Sequence, residues 1–545
     1  MFGIELVFGS LPVNVLIGLA TIVLLYWYSV RNHDYWAKKN VPHVKPLPFL
    51  GSLLDNMRKP FQDVEYERYM KLGRVYGHYE GNNPLLSVGD PVLLRDILVK
   101  DFAYFINRRQ VEFGDKVVDN MLTAIRGEDW KRIRSIVTPT FTTGKIKKML
   151  PIFKDCTEAL INNFKTSAKE GKEVDVKRMY SAFSMDVIAN SAFSTKIDSL
   201  NDPNNQFVQV AKTVFGEEAT FFKKIIFLLF FLCPGVLKFF KIPVFASEAS
   251  KFFKDITLRI IEERKKTGQV RNDFLQLLMD TAKEVSEDQK LETSEKDKED
   301  ITSNYEESNA GHQIFKAVTT KRKRSAELSI DELVAQSVIF FIAGHDTTAS
   351  TLAFATYFLA LHQDIQDRLR AEVDSAIEDN DGQLTYESIQ SMKYLDNIIS
   401  ETLRIYPVAI RLERHAESDY KLRDTGITIP KGMIVSIPVF AIHRDPKLWP
   451  DPELYNPDRF MPEEKAKRDP YSYIPFGAGP RNCVGMRFAL TQIKVCLAHI
   501  IATFKISRCP QTKVPLEFNM GQQGLLQPKE IVVQFDIRID SHLLK

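Results

Sequence analysis

Ten residues near the end of the chain, 476–485, constrain its structure more than any other stretch. They read FGAGPRNCVG, with one cysteine, three glycines and a proline, and the helix-like run 486–504 follows them. Glycine permits positive φ angles and a close approach of the backbone to a flat surface. A loop that ends at a helix N-terminus stabilises a thiolate. Cys483 therefore suits a lone thiolate ligand to a metal in a large planar cofactor, and Arg481 suits an acid on that cofactor. The alternative is a buried structural cysteine in a glycine-rich turn.

The spacing F-x-x-G-x-R-x-C-x-G resembles the haem-binding loop of the cytochrome P450 monooxygenases. The resemblance covers the chain from about residue 40 to its end. It implies a mainly α-helical fold with small β-sheets and one haem b. It also implies that Cys483 is the iron ligand and that Phe476 and Arg481 lie at the haem.

Several stretches are similar to one branch of that family, the vertebrate family three, subfamily A enzymes, which oxidise many xenobiotics and steroids. These stretches are 129–144, 333–348, 407–414, 443–447 and 475–490. The chain departs from the subfamily in having His345 and Asp346 where it favours Tyr and Glu. It also has a longer charged connection and more phenylalanine. These departures leave the substrate range open.

Length, charge and cysteine usage set wide limits on the chain. At 545 residues it is long enough to bury a core around a bulky cofactor, and its net charge of +3 does not indicate nucleic-acid binding. The five cysteines, at 156, 233, 483, 496 and 509, are odd in number and scattered. That pattern argues against a disulfide framework and favours a reducing compartment. No C-x-x-C pair exists, which excludes a zinc ribbon or a c-type haem attachment.

The first 30 residues predict a membrane anchor. Residues 6–30 carry no charged side chain and end in Tyr26, Trp27 and Tyr28, and about 20 apolar residues span a bilayer. Basic residues follow the run and Glu5 precedes it, so the positive-inside rule places the rest of the chain in the cytoplasm. Together with the resemblance, this predicts a single-pass protein of the endoplasmic reticulum membrane. A buried core helix is the alternative.

A proline-rich stretch follows the anchor and predicts a domain boundary. In residues 41–48, which read VPHVKPLP, prolines stiffen the chain and prevent the helix from continuing. We therefore expect a semi-rigid hinge over 31–48 and a catalytic domain over 49–545. Short strand-like segments at 74–79 and 85–88 precede helical patterns that extend to about residue 412.

Residues 221–240 form an unusually aromatic segment, with seven phenylalanines and flanking lysines. The uncharged part, 225–237, is short for a membrane span and contains a Pro-Gly pair. A segment lying in the membrane interface fits better, and the resemblance places it over the substrate entrance. An ordinary buried helix pair is the alternative.

Residues 284–326 are highly charged and poor in apolar side chains, and they end in the basic run 321–324. Such a composition buries too little surface to become ordered, so we expect an exposed, disordered connection. A nuclear signal is an alternative for the basic run, although the membrane anchor argues against it.

Residues 329–348 predict a buried helix. Ser329 and Glu332 form a capping box, and the run after them is apolar nearly all round. An acid and two hydroxyls inside such a helix are costly unless they are useful. Gly344 and a threonine hydroxyl that bonds a preceding carbonyl are expected to open the helix locally. The stretch matches the family's A-G-x-[DE]-T-[TS] motif, which implies that Thr347 hydrogen-bonds the bound dioxygen and that Asp346 relays protons.

Two alternatives remain for this helix. Asp346 would instead pair with a distant base and serve stability alone. His345 lies outside the family motif and is interpreted as a satisfied core or cavity histidine.

Trp130 and Arg134 are four residues apart, so on a helix they share a face and offer two donors to a carboxylate. A core tryptophan beside a surface arginine is the alternative. The resemblance implies that both hold the haem propionates, together with Arg108, Arg414 and Arg481.

Glu401 and Arg404 lie one helical turn apart, and Arg459 follows in the turn NPDRF. Alone, such a pair is common on solvated surfaces. The family resemblance implies instead a buried network of all three residues on the thiolate side.

Small and apolar residues are candidates for the wall of a pocket that suits lipophilic molecules. They are Thr123, Ile339, Ile342, Ala343, Val408, Ala409, Ile410 and, in the loop 521–525, Leu525.

The resemblance implies a monooxygenase whose electrons come from outside, since no G-x-G-x-x-G nucleotide segment is present. The partners it implies are a membrane-bound NADPH–cytochrome P450 reductase, sometimes helped by cytochrome b5, together with membrane lipid and a small lipophilic substrate. A basic face is the candidate docking surface, with solvated lysines as the alternative: Lys131, Arg132, Lys145, Lys147 and Lys148. A haem-thiolate isomerase or dehydratase and a non-catalytic haem sensor or carrier are the competing functions.

Overall fold

The computed structural model describes residues 2–110, 114–202, 204–215, 247–286, 328–519 and 524–541. Within these residues helices dominate. They are α1 (Phe2–Val30), α2 (Tyr35–Lys38), α3 (Leu54–Arg58), α4 (Phe61–Leu72), α5 (Pro91–Arg95), α6 (Lys116–Asp119), α7 (Gly127–Val137), α8 (Thr143–Lys148), α9 (Leu150–Lys169), α10 (Val176–Phe193), α11 (Gln206–Phe215), α12 (Ser247–Thr267), α13 (Phe274–Ser286), α14 (Ile330–Leu361), α15 (Gln363–Glu378), α16 (Tyr386–Ser391), α17 (Lys393–Ile405), α18 (Val439–Ile442), α19 (Pro462–Lys465) and α20 (Met486–Thr503).

The strands are few and short. They are β1 (Val75–Glu80), β2 (Asn83–Val88), β3 (Val174–Asp175), β4 (Leu412–His415), β5 (Tyr420–Lys421), β6 (Thr428–Ile429), β7 (Ile434–Ile437), β8 (Phe504–Ser507) and β9 (Val532–Ile537). One sheet has the order β1-β2-β7-β4, a second has the order β3-β9-β8, and β5 pairs with β6. The expected class, mainly α with small β-sheets, is confirmed.

Two of the interpreted segments fall largely outside the described residues. The aromatic segment 221–240 lies wholly outside them. So does the charged connection 284–326, except for residues 284–286, which end α13.

Helix α1 carries the predicted anchor. Its part from Val13 to Val30 has a mean hydropathy of 1.9 and is largely exposed, so it is long and apolar enough to cross a membrane. Helix α14 passes the same test of length and composition, but it is mostly buried inside the protein. Burial therefore separates the candidate membrane span from a core helix.

The residues after α1, where the sequence predicts a hinge, pack on the first sheet. Trp36 is fully buried, and its ring lies against the α-carbon of Gly77 on β1. Gly77 N–H donates to the Pro42 carbonyl, and Val44 N–H donates to the Gly77 carbonyl. Hydrogen bonds to β1, which the sequence pattern does not reveal, therefore hold this stretch in place.

Helix α14 passes through the core as predicted. The capping box is present, because the Ser329 side chain accepts from the Glu332 N–H and the Glu332 carboxylate accepts from the Ser329 N–H. The helix continues without interruption through Gly344, where we expected local opening. A β-carbon on Gly344 would lie 2.5 Å from Cδ1 of Ile188, so the glycine serves the close packing of α14 on α10.

Candidate active site

The cysteine loop lies between the end of a turn at Ile474 and the start of α20. Its turns are closed by Gly477 N–H to the Ile474 carbonyl and by Cys483 N–H to the Phe476 carbonyl, 3.0 and 2.8 Å. Gly479 has a φ of +71°, and a β-carbon there would lie 1.9 Å from the Leu98 carbonyl oxygen. Because only glycine adopts this φ freely and leaves room for Leu98, the loop requires it.

Cys483 precedes α20 by three residues, so its sulfur lies near a helix N-terminus. The side chain is accessible, yet it lies deep enough in the fold that burial raises the pKa of its thiol. Three groups oppose this effect of burial and lower the pKa: the Gly485 N–H and the guanidinium groups of Arg134 and Arg108. These three groups stabilise the thiolate, the form that binds metals.

Four arginines gather around this loop: Arg108, Arg134, Arg414 and Arg481. Burial and the neighbouring guanidinium groups lower the pKa of Arg481 to about 8. Burial and Arg108 lower the pKa of Arg414 to about 9. Buried like charges are costly unless an anion compensates them.

The hydrogen bonds that three of these arginines make to the described residues go to carbonyl and amide oxygens. Arg134 donates to the Asn482 carbonyl and to its side-chain oxygen, 3.1 and 2.8 Å. Arg414 donates to the Glu413 carbonyl, and its buried Nε has no hydrogen-bond partner within the described part of the chain.

Arg481 is held by the carbonyls of Ile106, Leu122 and Ile125, and its guanidinium lies 4.1 Å from the centre of the Trp130 ring. This cation–π contact joins two predicted haem-binding residues that are 351 positions apart in the sequence.

These residues fit a haem. Among the described residues no three His, Cys, Asp or Glu side chains are grouped to hold a metal ion, so a metal at Cys483 needs further donors from a cofactor. The four arginines form no ion pair with the residues that the structure describes, and this cluster, with the unbonded Nε of Arg414, fits the two carboxylates that such a cofactor carries.

Helix α14 presents an accessible stripe although most of its surface is buried. Ala343 is exposed and Ile339 and Thr347 are half-buried, at positions one helical turn apart. The Thr347 hydroxyl donates to the Ala343 carbonyl at 2.7 Å, as the sequence predicts. Thr347 therefore offers its oxygen as an acceptor on the open side of the helix.

Asp346 is tied to two residues from other parts of the chain. Lys177 of α10 lies 2.5 Å from its Oδ1, and the Gln527 amide donates to its Oδ2 at 3.0 Å. Burial raises the pKa of Asp346, but Lys177, His345 and Gln527 together lower it overall. The pairing with a distant base, left open by the sequence, is present, and Lys177 carries no sequence signal of this role.

His345 is buried beside Asp346, and burial lowers its pKa to about 4. The ring is therefore neutral at pH 7, in line with the interpretation of a core histidine.

The predicted network of Glu401, Arg404 and Arg459 assembles. Arg404 donates to both carboxylate oxygens of Glu401, at 2.7 and 2.8 Å, and neither side chain is exposed. Arg459 Nε lies 3.4 Å from Glu401 Oε1. Arg404 also donates to the carbonyls of His443, Pro452 and Leu454, so one guanidinium ties α17 to the segment before the cysteine loop.

Two of the predicted wall segments pair with each other. Ala409 forms a bridge with Leu525, Leu526 N–H donates to the Val408 carbonyl, and Ile410 N–H donates to the Gly524 carbonyl. The accessible members of the predicted wall are Thr123, Ile339, Ile342, Ala343, Ala409 and Leu525, while Val408 and Ile410 are buried. Six of the eight predicted wall residues are thus accessible, and two are buried.

Arg109, next to the predicted Arg108, has a different environment. It pairs with Glu80 at 2.5 Å and with Glu413 at 2.9 Å, and Arg411 lies 3.0 Å from Glu413. Because adjacent strand residues point to opposite faces, Glu413 joins this network while Arg414 faces the arginine cluster. Sequence reasoning missed these pairs, because their members lie on β1, β4 and a loop.

The sequence model of the cytochrome P450 family matches residues 41–313 and 294–535. With the thiolate loop, the arginine cluster and the mainly helical fold, this places the chain in the cytochrome P450 family. It is therefore a monooxygenase that binds haem b.

Within that family the chain resembles the 3A enzymes, as predicted. It is 39% identical over 529 residues to cytochrome P450 3A11 of Mus musculus, which covers 96% of each chain. It is 38% identical over 516 residues to cytochrome P450 3A9 of Rattus norvegicus, covering 94% of this chain and 93% of the relative. It is 38% identical over 521 residues to cytochrome P450 3A29 of Sus scrofa, covering 94% and 95%.

Proposed function

We propose that this enzyme inserts one atom of O2 into lipophilic substrates, which are xenobiotics, steroids or lipids. It does so in the endoplasmic reticulum membrane with electrons from an NADPH-dependent reductase. The observation that carries the proposal is the accessible Cys483 thiol in a loop framed by buried, uncompensated arginines. That combination fits one metal ligand and two cofactor carboxylates.

Each predicted cofactor residue then has a role. Cys483 is the iron ligand, and Phe476 fixes its backbone by accepting the Cys483 N–H. The groups proposed to surround the carboxylates are Arg108, Trp130, Arg134, Arg414 and Arg481. When bound, the haem supplies the activation of O2, and its thiolate ligand favours O–O cleavage.

We assign proton transfer to Thr347 and Asp346 of helix α14. The accessible Thr347 hydroxyl donates to the Ala343 carbonyl and positions a water beside the pocket by accepting a hydrogen bond from it. Asp346 lies next to it in sequence and is held ionised by Lys177. A positioned carboxylate accepts a proton and passes it on in general acid–base catalysis.

The proposed substrate class rests on the wall. The accessible members are aliphatic except for the Thr123 hydroxyl. Such a lining favours apolar molecules with a few polar groups.

The proposed redox partner is the NADPH–cytochrome P450 reductase, with cytochrome b5 as a second donor. Of the five basic candidates, three are paired: Lys131 with Glu128, Arg132 with Glu332 and Lys147 with Glu387. Lys147 and Lys148 are exposed at α8, so this helix is the part of the face best placed for an acidic partner.

The membrane location rests on α1 and on the basic residues after it. Arg31 lies 4.3 Å from the centre of the Tyr28 ring, so an aromatic and a cation meet at the end of the apolar helix. This is the arrangement expected at a membrane interface.

The test starts with a carbon-monoxide difference spectrum of the reduced membrane protein. We expect the red-shifted Soret band of thiolate ligation, and its loss in Cys483→Ser. The second step is reconstitution with reductase and NADPH, using testosterone as the probe.

NADPH-dependent product supports the monooxygenase. Turnover of a hydroperoxide without reductase would favour an isomerase or dehydratase. A thiolate band in the absence of any turnover would favour a carrier.

A further inference from the structure

The segment between α6 and α7, residues 120–125, carries the wall candidate Thr123 and is held from two sides. Thr123 is exposed, whereas Met121 and Leu122 before it are buried. Turn hydrogen bonds close the segment on itself, because the Ala124 and Ile125 N–H groups both donate to the Met121 carbonyl. Two side chains from other elements then attach the segment to the rest of the protein.

The first partner is Gln336 on α14, whose side chain is 1% exposed. Its amide oxygen accepts the Leu122 N–H at 3.0 Å, and its amide nitrogen donates to the Asn120 carbonyl at 2.8 Å. The same nitrogen lies 3.2 Å from the Glu332 carbonyl of its own helix. A buried amide that bonds both an N–H and a carbonyl of one segment fixes its distance and its direction.

The second partner is Arg481 of the cysteine loop. It donates to the Leu122 carbonyl at 3.4 Å and to the Ile125 carbonyl at 3.1 Å. Backbone groups at Asn120 and Leu122, before Thr123, and at Ile125, after it, are thus attached to two elements of the proposed site. Gln336 attaches them to α14, and Arg481 attaches them to the loop that holds Cys483.

We propose that Gln336 is a positioning residue that sets the distance between Thr123 and the wall residues of α14, and so controls which bulky ligands fit. Ile339 and Ala343 follow Gln336 by three and seven positions, on the same face of α14. A clamp on this face therefore fixes Thr123 relative to Ile339 and Ala343. The inference rests on the proposed function, because it assumes that these residues line the haem pocket.

The test compares Gln336→Met with Gln366→Met. Methionine keeps the length of the side chain and removes both hydrogen bonds. Gln366 on α15 is the matched control: it is fully buried, donates to the Ile506 carbonyl at 2.8 Å and accepts the Ile506 N–H at 3.0 Å. These hydrogen bonds hold β8, which contains none of the wall residues. Both variants therefore lose a similar pair of buried hydrogen bonds from a glutamine side chain to a backbone segment.

The readout is the binding of two azoles to the haem iron of the purified, full-length enzyme, measured by absorption. Imidazole reports access to the iron, and 4-phenylimidazole also touches the wall. In Gln336→Met we expect the Kd of 4-phenylimidazole to rise about fivefold, since a loosened segment must be ordered again on binding. The Kd of imidazole should change less than about twofold, and Gln366→Met should leave both constants unchanged.

Two further measurements separate positioning from general damage. Hydrogen exchange of the Leu122 amide should accelerate in Gln336→Met and not in Gln366→Met. Thr123→Ala should weaken 4-phenylimidazole binding as well, and the double variant should lose less than the sum of the two, because both changes act on one contact.

Equal effects of Gln336→Met and Gln366→Met on 4-phenylimidazole would overturn the proposal, as would an unchanged Kd together with faster exchange at Leu122. If neither azole shifts the spectrum of the unaltered enzyme, the assignment of a haem pocket to this site is wrong. That result would overturn the proposed function and the inference together.

Discussion

Lys177 Nζ lies 2.5 Å from Asp346 Oδ1, so helix α10 provides the counter-ion for the acid of the A-G-x-[DE]-T-[TS] motif. Only 14% of the Lys177 side chain and 9% of the Asp346 side chain are exposed. The ion pair contributes to stability only while the carboxylate is ionised, so its contribution depends on pH.

Lys177→Met is expected to lower the free energy of unfolding at pH 7 by about 3 kcal/mol, because it leaves a buried carboxylate with the Gln527 amide alone. The pKa of Asp346 is lower in the folded protein than in the unfolded chain, so the pair stabilises above the unfolded pKa of about 4. The contribution is lost as pH falls through the folded pKa, and the two proteins should converge there. Urea unfolding between pH 3 and 7 measures the free energy of unfolding of both proteins.

Lys254→Met is the control, because the Lys254–Asp331 pair is about 40% exposed. This change should lower the free energy of unfolding by less than about 1 kcal/mol. Equal losses in the two variants would contradict the prediction.

Thr347→Ala is expected to separate electron use from product formation. The hydroxyl is accessible and donates to the Ala343 carbonyl, so its loss removes a positioned hydrogen-bond acceptor at the accessible side of the helix. Product per NADPH consumed should fall about tenfold or more, with hydrogen peroxide released instead. Thr347→Ser keeps the hydroxyl and should retain most of the coupling. A Thr347→Ala variant that is as well coupled as the unaltered enzyme would exclude this role.

Arg404→Lys is expected to yield protein that retains little haem. One ammonium cannot reproduce the fork of hydrogen bonds that Arg404 makes to Glu401 and to three carbonyls. The free energy of unfolding should fall by about 3 to 5 kcal/mol, because Glu401 stays buried and loses most of its hydrogen bonds to Arg404. Haem content of the purified protein, from its absorption, is the measurement. Arg368→Lys is the matched control, since Arg368 also forks onto a carboxylate, that of Asp458, but at the surface. Normal haem content in Arg404→Lys would refute the role of the network.

Gly479→Ala is expected to displace the cysteine loop. The added β-carbon would lie 1.9 Å from the Leu98 carbonyl, and the φ of +71° is unfavourable for alanine. We expect a weakened thiolate band in the carbon-monoxide difference spectrum. Gly432→Ala has a similar φ of +89° but nothing within 4 Å, so it isolates the backbone strain, about 1 kcal/mol. If both variants give the same full band, the contact with Leu98 does not position Cys483.

Gly77→Ala is expected to detach residues 31–48 from the first sheet, because the new β-carbon would lie 2.3 Å from the Trp36 ring. Cleavage by trypsin at Lys38 and Lys39 should become faster in the membrane-bound protein, while the carbon-monoxide spectrum stays intact. Gly73→Ala, with nothing within 4 Å of its β-carbon, is the control. Unchanged cleavage in Gly77→Ala would show that the packing of Trp36 does not hold this stretch.

Local sequence patterns predicted a large part of the fold and the candidate site. The strands expected at 74–79 and 85–88 are β1 and β2, and the capping box at Ser329 begins α14 as expected. Both depend on neighbours within a few positions, where alternation, capping and turn chemistry act. The same holds for Trp130 and Arg134, which share helix α7.

Contacts between distant residues were not predictable in this way. Lys177 is 169 positions from Asp346, and nothing around it marks it as a counter-ion. The hinge interpretation of residues 31–48 missed the packing of Trp36 on Gly77, because a glycine in a strand does not indicate which aromatic ring packs on it.

The sequence by itself determined the cysteine loop, the capped apolar helix α14 and the apolar helix α1, because each is a short pattern whose chemistry is contained in its own residues. Only the tertiary structure decided which distant side chains neutralise, clamp and support them, namely Lys177 for Asp346, Gln336 and Arg481 for the segment around Thr123, and Gly77 for Trp36. Such pairings arise when buried charges, amides and rings must find partners across the core, and that requirement leaves no fixed spacing along the chain.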